Sequence, residues 1–216
     1  MDFIDKEIQE YCNSLTTKTE DILEEIERET YLTTIQPRMI SGFFQGRFLS
    51  LISQMIKPKN ILEIGTFTGY GTLCLCEGLR KEGKIDTIEK NEELQSFFSK
   101  YFKKSKHKNK IKSHLGCATK IIPALNKKFD LVFIDADKKN YNKYFELIDG
   151  KINIGGYVIS DNMLWSGKVL KTISDKDTKG IKKLSNTINK SANYQNILLP
   201  IRDGLMIAKK IKWLIF

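Results

Sequence analysis

With 216 residues, 41% apolar and 29% charged, the chain has room for one well-buried core and is short for two full domains. No apolar run approaches the roughly 18 residues of a membrane span. The start, Met1-Asp2-Phe3-Ile4-Asp5-Lys6-Glu7, lacks the basic and apolar regions of a signal peptide, so no membrane partner and a cytoplasmic location are expected. The net charge of +10 invites a nucleic-acid partner, but 31 of the 36 basic residues are lysine and five arginine, and phosphate readers favour the arginine fork.

Residues 2 to 31 read as helical, with one stripe at Ile4, Ile8 and Tyr11 and another at Ile22, Leu23 and Ile26. Both are expected to pack on the core or on a second subunit. Pro37 interrupts this reading. From Phe43 to Ile56, Phe44, Phe48, Leu51, Ile52 and Met55 recur at helical spacing, which predicts a further amphipathic helix ended by Pro58. Residues 1–57 are thus expected to be a helical extension and 58–216 one compact unit.

Beyond Pro58 the pattern alternates. Strands are predicted near 60–65, 84–89, 110–114, 130–135, 154–160, 194–199 and 204–210, and helices near 69–80, 91–104, 117–125, 141–149 and 178–191. Such alternation builds an α/β fold with a mostly parallel sheet and helices on both faces. The stretch from Trp165 to Asp177 is the least regular. Cys12, Cys74, Cys76 and Cys117 show neither Cys-x-x-Cys spacing nor a disulfide framework and read as reduced, mostly buried packing residues. The run from Lys100 to Lys112 holds seven lysines among Tyr101, Phe102 and His107, either a solvated helix end or an RNA-binding face.

Chemistry concentrates where apolar runs stop. Leu131 to Ile134 is continuous, as a strand buried on both faces requires, and it ends in Asp135, Asp137 and Lys138. Tyr157 to Ser160 ends in Asp161-Asn162. If these strands are neighbours, Asp135, Asp161 and Asn162 converge at their carboxyl ends, where open α/β sheets bind ligands. Three hard oxygens suit Mg²⁺, Ca²⁺ or Mn²⁺ rather than zinc. Upstream, Asn60 to Gly65 passes into Thr66-Phe67-Thr68-Gly69-Tyr70-Gly71, a G-x-x-x-G-x-G turn distinct from the dinucleotide fingerprint. Its glycines, Gly65, Gly69 and Gly71, let a ligand approach the backbone, and Glu89 closes the next strand, where an acid can bind ribose hydroxyls. Glu63 puts a negative charge beside the turn, which repels a pyrophosphate and suits an ammonium or sulfonium. S-adenosylmethionine carries both and has no phosphate. The alternative is that the glycines serve only the turn and Glu63 is a surface charge.

Five motifs carry a resemblance: Glu63 to Tyr70, Phe129 to Lys138, Gly155 to Asn162, Leu164 to Val169, and Pro200 to Leu205. Over roughly residues 36 to 210 the chain resembles the cation-dependent O-methyltransferases of the caffeoyl-CoA and catechol type. The resemblance implies the Rossmann-like class I methyltransferase fold, a seven-stranded sheet with its last strand antiparallel, and frequent homodimers. By position it implies that Glu63, Gly65, Gly71, Glu89 and Ala118 surround S-adenosylmethionine, that Asp137 touches its amino-acid end and that Met39 packs near the methyl donor. It also implies that Asp135, Asp161 and Asn162 hold a divalent cation (Mg²⁺, Ca²⁺ or Mn²⁺), that Lys138 stands by the acceptor hydroxyl, and that Trp165 and Asp203 lie on the acceptor side. Two departures are Gly71, where many members have serine, and Glu89, where aspartate is commoner.

The expected chemistry is methyl transfer to one of two adjacent oxygens of a catechol-like small acceptor. Trp165 and Tyr157 offer aromatic surface for its ring. Lys138 either takes the acceptor's proton or stabilises the oxyanion, the second being preferred because Asp135 and Asp137 oppose a neutral amine. A structural alternative makes Lys138 the ion-pair partner of Asp137. Competing functions are methylation of a wobble 5-hydroxyuridine in tRNA and a non-catalytic S-adenosylmethionine-binding module.

Overall fold

In a computed structural model the protein is described for residues 4–172 and 175–212. Residues 2 and 3 of the expected first helix and residues 173 and 174 of the irregular stretch lie outside the described residues. Seven strands, β1 (Asn60–Ile64), β2 (Lys84–Glu89), β3 (Ile111–Leu115), β4 (Phe129–Ile134), β5 (Ile152–Ser160), β6 (Tyr194–Leu199) and β7 (Leu205–Lys210), form one sheet in the order β3-β2-β1-β4-β5-β7-β6. β1 to β5 run parallel, and β7 is antiparallel to both of its neighbours. The Rossmann-like reading and its antiparallel last strand are borne out.

Register places the site. Ile64 pairs with Ile134 and Ile134 with Ser160, so the three central strands end level. The residues just beyond, Gly65, Asp135 and Asp161, come out side by side.

Among the described residues there are eight α-helices: α1 (Lys6–Ser14), α2 (Asp21–Thr33), α3 (Gly42–Ile56), α4 (Tyr70–Cys76), α5 (Gln95–Lys104), α6 (Ala118–Ala124), α7 (Tyr141–Asp149) and α8 (Lys176–Asn189). Alternation along the strands splits the core. Ile61, Leu131 and Phe133 face a layer with Leu23 of α2, Leu49 of α3 and Phe98 of α5. Leu62, Val132 and Ile134 face α6, α7 and α8. Each such side chain contributes about 1.5–3 kcal/mol. Among the described residues no helix is long and apolar enough to cross a membrane.

The helical reading of residues 2 to 31 resolves into α1 and α2. α2 buries Leu23, Ile26 and Thr30, whereas α1 buries nothing and leaves Ile8 and Tyr11 exposed. The packing of α1 on the core is therefore not found. The amphipathic reading of α3 holds only in part. Its buried residues are Gln45, Gly46, Leu49, Ser50 and Ser53, while Leu51 and Met55 stand exposed. The reason is close packing on α4: a Cβ on Gly46 would lie 2.5 Å from the Tyr70 ring, and one on Gly78 2.0 Å from the Ser53 backbone. Small and polar residues fit that seam beside Leu49, while Phe48 and Ile52 pack half-buried against the core and Leu51 and Met55 are turned out.

Cys74 and Cys76 are buried, but Cys12 and Cys117 are only half-buried, and all four are free. In the lysine run, Lys100 pairs with Glu29 at 2.6 Å, Lys104 with Glu25 at 2.5 Å, and Lys106 with Glu20. This part of the run is a charge seam between the α2 side and the α5 end. Finally, α8 presses on the 3₁₀ turn Lys138–Asn140: a Cβ on Gly180 would lie 2.3 Å from the Lys138 carbonyl oxygen.

Candidate active site

The ladder continues one residue past the strand tips. Asp135 N donates to Ile64 O at 2.9 Å, and Asp161 N to Ile134 O at 3.0 Å. Gly65 has φ +106°, and a Cβ there would lie 1.9 Å from Asp135 O, so only glycine lets the two tips meet. The fully buried Tyr141 clamps the next pair, its hydroxyl donating to Ile134 O at 3.3 Å and Asp161 O at 3.1 Å.

Two carboxylates thus share one buried corner. Lys138 Nζ lies 2.8 Å from Asp135 Oδ1; its partner is Asp135, not Asp137. Asp161 is 4% exposed. Its Oδ2 accepts from Gln45 Nε2 at 2.7 Å and its Oδ1 from Asn162 N at 2.6 Å. Burial and the negative charge of Asp135 push its carboxyl upward, against the pull of Lys138 and Gln45. Burial disfavours the Lys138 charge, but Asp135, Tyr141 and Asp161 outweigh it and hold the amine well above the usual lysine range. Asn162 has φ 57°, a left-handed conformation that asparagine tolerates better than most residues.

A divalent cation fits this donor set. Two carboxylates crowd a corner where only Lys138 pairs with them directly, Arg202 acting on Asp161 from beyond Gln45, and the hydrogen bonds to Asp161 occupy only part of its acceptor capacity. Among the described residues no group of three His, Cys, Asp or Glu side chains is placed to hold a metal, so the expected donor set is two carboxylates and the Asn162 amide. Such an oxygen set favours Mg²⁺, Ca²⁺ or Mn²⁺.

Beside this corner, Met39, Ser41, Glu63, Gly65, Gly71, Phe133 and Asp135 line one pocket, so Asp135 borders both places. Glu63 is 1% exposed, which removes the surface-charge alternative. Its Oε2 accepts from Thr72 Oγ1 and, at 2.6 Å, from Thr87 Oγ1. Burial pushes its carboxyl up to about 8, the two hydroxyls pulling down and Asp135 and Glu89 adding to the rise. Burial thus opposes the negative charge expected beside the turn. Above it, a Cβ on Gly71 would lie 2.9 Å from Glu63 Oε1.

The other expected cofactor residues are placed more variously. Gly69 caps α4 at φ +89°, and its missing Cβ makes room for the Phe102 ring 2.6 Å away, on the α5 side. Glu89 accepts from Phe67 N at 2.7 Å and from Lys90 N and Asn91 N at 2.8 Å, stapling the glycine turn to β2. Ala118 opens α6 beyond β3. Asp137 accepts from Tyr144 and Asn140 side chains.

On the acceptor side, the Trp165 ring lies 6.0 Å from Lys138 Nζ, and its buried Nε1 has no partner among the described residues. Asp203 staples the same loop, accepting from Ser166 N at 2.5 Å. Tyr157 does not join them. It lies three positions before Ser160, on the order of 10 Å back along the strand, and its ring packs under Lys209. Motif reading gave no role to Gln45 or Tyr141, and none to Arg202 although it stands within the Pro200–Leu205 motif. For Gln45 the available signal was a glutamine next to a glycine inside an apolar helix.

The O-methyltransferase family model matches residues 13–211. A caffeoyl-CoA O-methyltransferase from Medicago sativa is 29% identical over 187 residues, 81% of this chain and 76% of that protein. A catechol O-methyltransferase from Niastella koreensis is 35% identical over 130 residues, 58% of this chain and 59% of that protein. The crystal structure of an O-methyltransferase from Bacillus cereus in complex with SAH superposes with a TM-score of 0.88 at 27% identity, covering 94% of this chain and 97% of that one.

Proposed function

The chain belongs to the O-methyltransferase family, and from that premise we propose a cytoplasmic enzyme that moves the methyl group of S-adenosylmethionine to one of two adjacent oxygens of a catechol-like acceptor, with a divalent cation. The observation that carries this reading is the meeting of Asp135, Lys138 and Asp161 at level strand ends beside the glycine-turn pocket.

In this reading Asp135, Asp161 and Asn162 hold the cation. Bound there, it supplies Lewis acidity that lowers the proton affinity of a neighbouring hydroxyl oxygen. Glu63 and Asp135 face the cationic end of the cofactor, and Gly65 and Gly71 admit it against the backbone. Lys138, ion-paired with Asp135 and enclosed by the Tyr141 and Trp165 rings, presents a positive charge to the acceptor oxyanion. Trp165 provides a flat wall for the acceptor ring. The transferred methyl is already electrophilic, so holding the acceptor oxygen in line with it supplies the main effect, about 7–11 kcal/mol when orientation is complete.

The tRNA reading loses support because Lys100, Lys104 and Lys106 are engaged by Glu29, Glu25 and Glu20. A homodimer is the assembly that the exposed Leu51, Met55, Ile8 and Tyr11 favour. The test is labelled-methyl transfer to a panel of catechols and to total tRNA, with and without Mg²⁺. Transfer to a catechol, removed by chelator and restored by Mg²⁺, is expected. Transfer confined to tRNA, or indifferent to chelator, overturns the reading.

A further inference from the structure

Gln45 takes no part in the chemistry above, yet it is a fully buried amide at its centre. Its Nε2 donates to Asp161 Oδ2 at 2.7 Å, and its Oε1 accepts from Arg202 Nη1 at 3.3 Å. An ionised carboxylate only accepts and a guanidinium only donates. The two partners therefore fix which way the amide faces, and the amide in turn fixes the carboxylate. Arg202 is itself anchored, Nη1 donating to Ile40 O at 2.9 Å and to Ser41 O. Its turn is tied to the loop that follows Asp161, since Leu164 N donates to Asp203 O at 2.8 Å and Met163 N to Gly204 O at 2.9 Å.

We propose that Gln45, held by Arg202, is a positioning residue for the cation site: it locks Asp161 in the one orientation that turns its remaining lone pairs to the metal. The inference rests on the reading that Asp161 binds a divalent cation. Neither residue touches the reacting atoms. Gln45 holds Oδ2 while Asn162 N holds Oδ1, so the carboxylate has no other rotamer to adopt without leaving a buried donor unpaired. Arg202 brings the N-terminal segment and the 201–204 turn to the same point, so the ligand is set by three chain segments at once.

The test is Mn²⁺ binding to the full-length protein, by calorimetry and by the electron paramagnetic resonance spectrum of the bound ion, with SAH affinity and thermal midpoint recorded for every variant. In Gln45→Met, Mn²⁺ affinity is expected to fall about 10–100-fold, as when outer partners of metal ligands are removed, with an altered spectrum of the bound ion. SAH affinity is expected to stay within about twofold. Methyl transfer is regained at saturating Mn²⁺, so the loss sits in the metal activation constant rather than in kcat. Should Gln45→Met not fold, Gln45→Asn keeps a buried amide but falls one methylene short of Asp161, and the same loss is expected. Unchanged Mn²⁺ affinity and spectrum in Gln45→Asn overturn the proposal. So does an equal loss of Mn²⁺ and SAH affinity, which a merely structural residue would produce. If the wild-type chain binds no Mn²⁺, the cation reading fails along with this inference; if it binds and the variants match it, only this inference fails.

Discussion

Around β1 and β2 the contacts that shape the proposed cofactor pocket are short in sequence: Thr72 and Thr87 reach Glu63 across 9 and 24 residues, and Phe67 reaches Glu89 across 22. Around the tips of β4 and β5 local contacts such as Lys138 with Asp135 are joined by long ones, with Gln45 reaching Asp161 across 116 residues and Arg202 reaching Ser41 across 161. The first region is a strand, a turn and a helix that shape one another. The second exists only once the whole sheet has closed. The two regions should therefore fail separately when residues are changed, apart from Asp135, Ile40 and Ser41, which border both.

The largest separation is expected at Asp161. In Asp161→Ala, transfer falls by more than about 10³-fold, because Lewis acidity worth several kcal/mol is lost. SAH affinity measured by calorimetry is kept, because Asp161 does not line the cofactor pocket. A matching fall in SAH affinity would break the comparison. A smaller effect is expected at Lys138. Lys138→Met lowers kcat at saturating cation by about 10²-fold, the scale of one lost charge-stabilising donor, again with SAH binding kept.

The smallest effect sharpens the other side. Glu63 is pushed up to about 8 in the fold from an ordinary 4.5, so over that interval the folded chain holds a proton that the unfolded chain has released. Stability is therefore full below about 4.5 and declines as pH rises through about 8. The thermal midpoint should fall across this window, and Glu63→Gln should flatten the fall. An unchanged slope in the variant would show that another group carries it.

What could be read from the residues follows the same division. The apolar run Leu131–Ile134 announces a buried parallel strand because nothing polar stands in its middle, and the carboxylates that follow it mark the ligand edge of the sheet. Where Gly69 points was not legible, because a glycine pattern does not encode the direction of an absent Cβ; the Phe102 ring fills that direction. The buried face of α3 was legible only in part for a related reason. Phe48 and Ile52 of its apolar stripe pack on the core, but close contact with α4 and the turn after it, at Gly46 and Gly78, brings Gln45, Ser50 and Ser53 inward and leaves Leu51 and Met55 outside. Tyr157 shows the limit of reading by composition: an aromatic residue near a site in sequence lay several positions down the strand.

The contact of Gly180 with the Lys138 carbonyl gives the reactive amine a backstop. α8 follows the loop that carries Trp165, so the wall facing the acceptor and the brace behind the lysine are successive pieces of one stretch of chain. Changes at the exposed Ser166 and Leu170 would alter the front of this stretch and leave the core-packed Trp165 and Val169 in place. Bulk introduced at position 180 would instead shift the ammonium itself, whatever molecule occupies the front of the site.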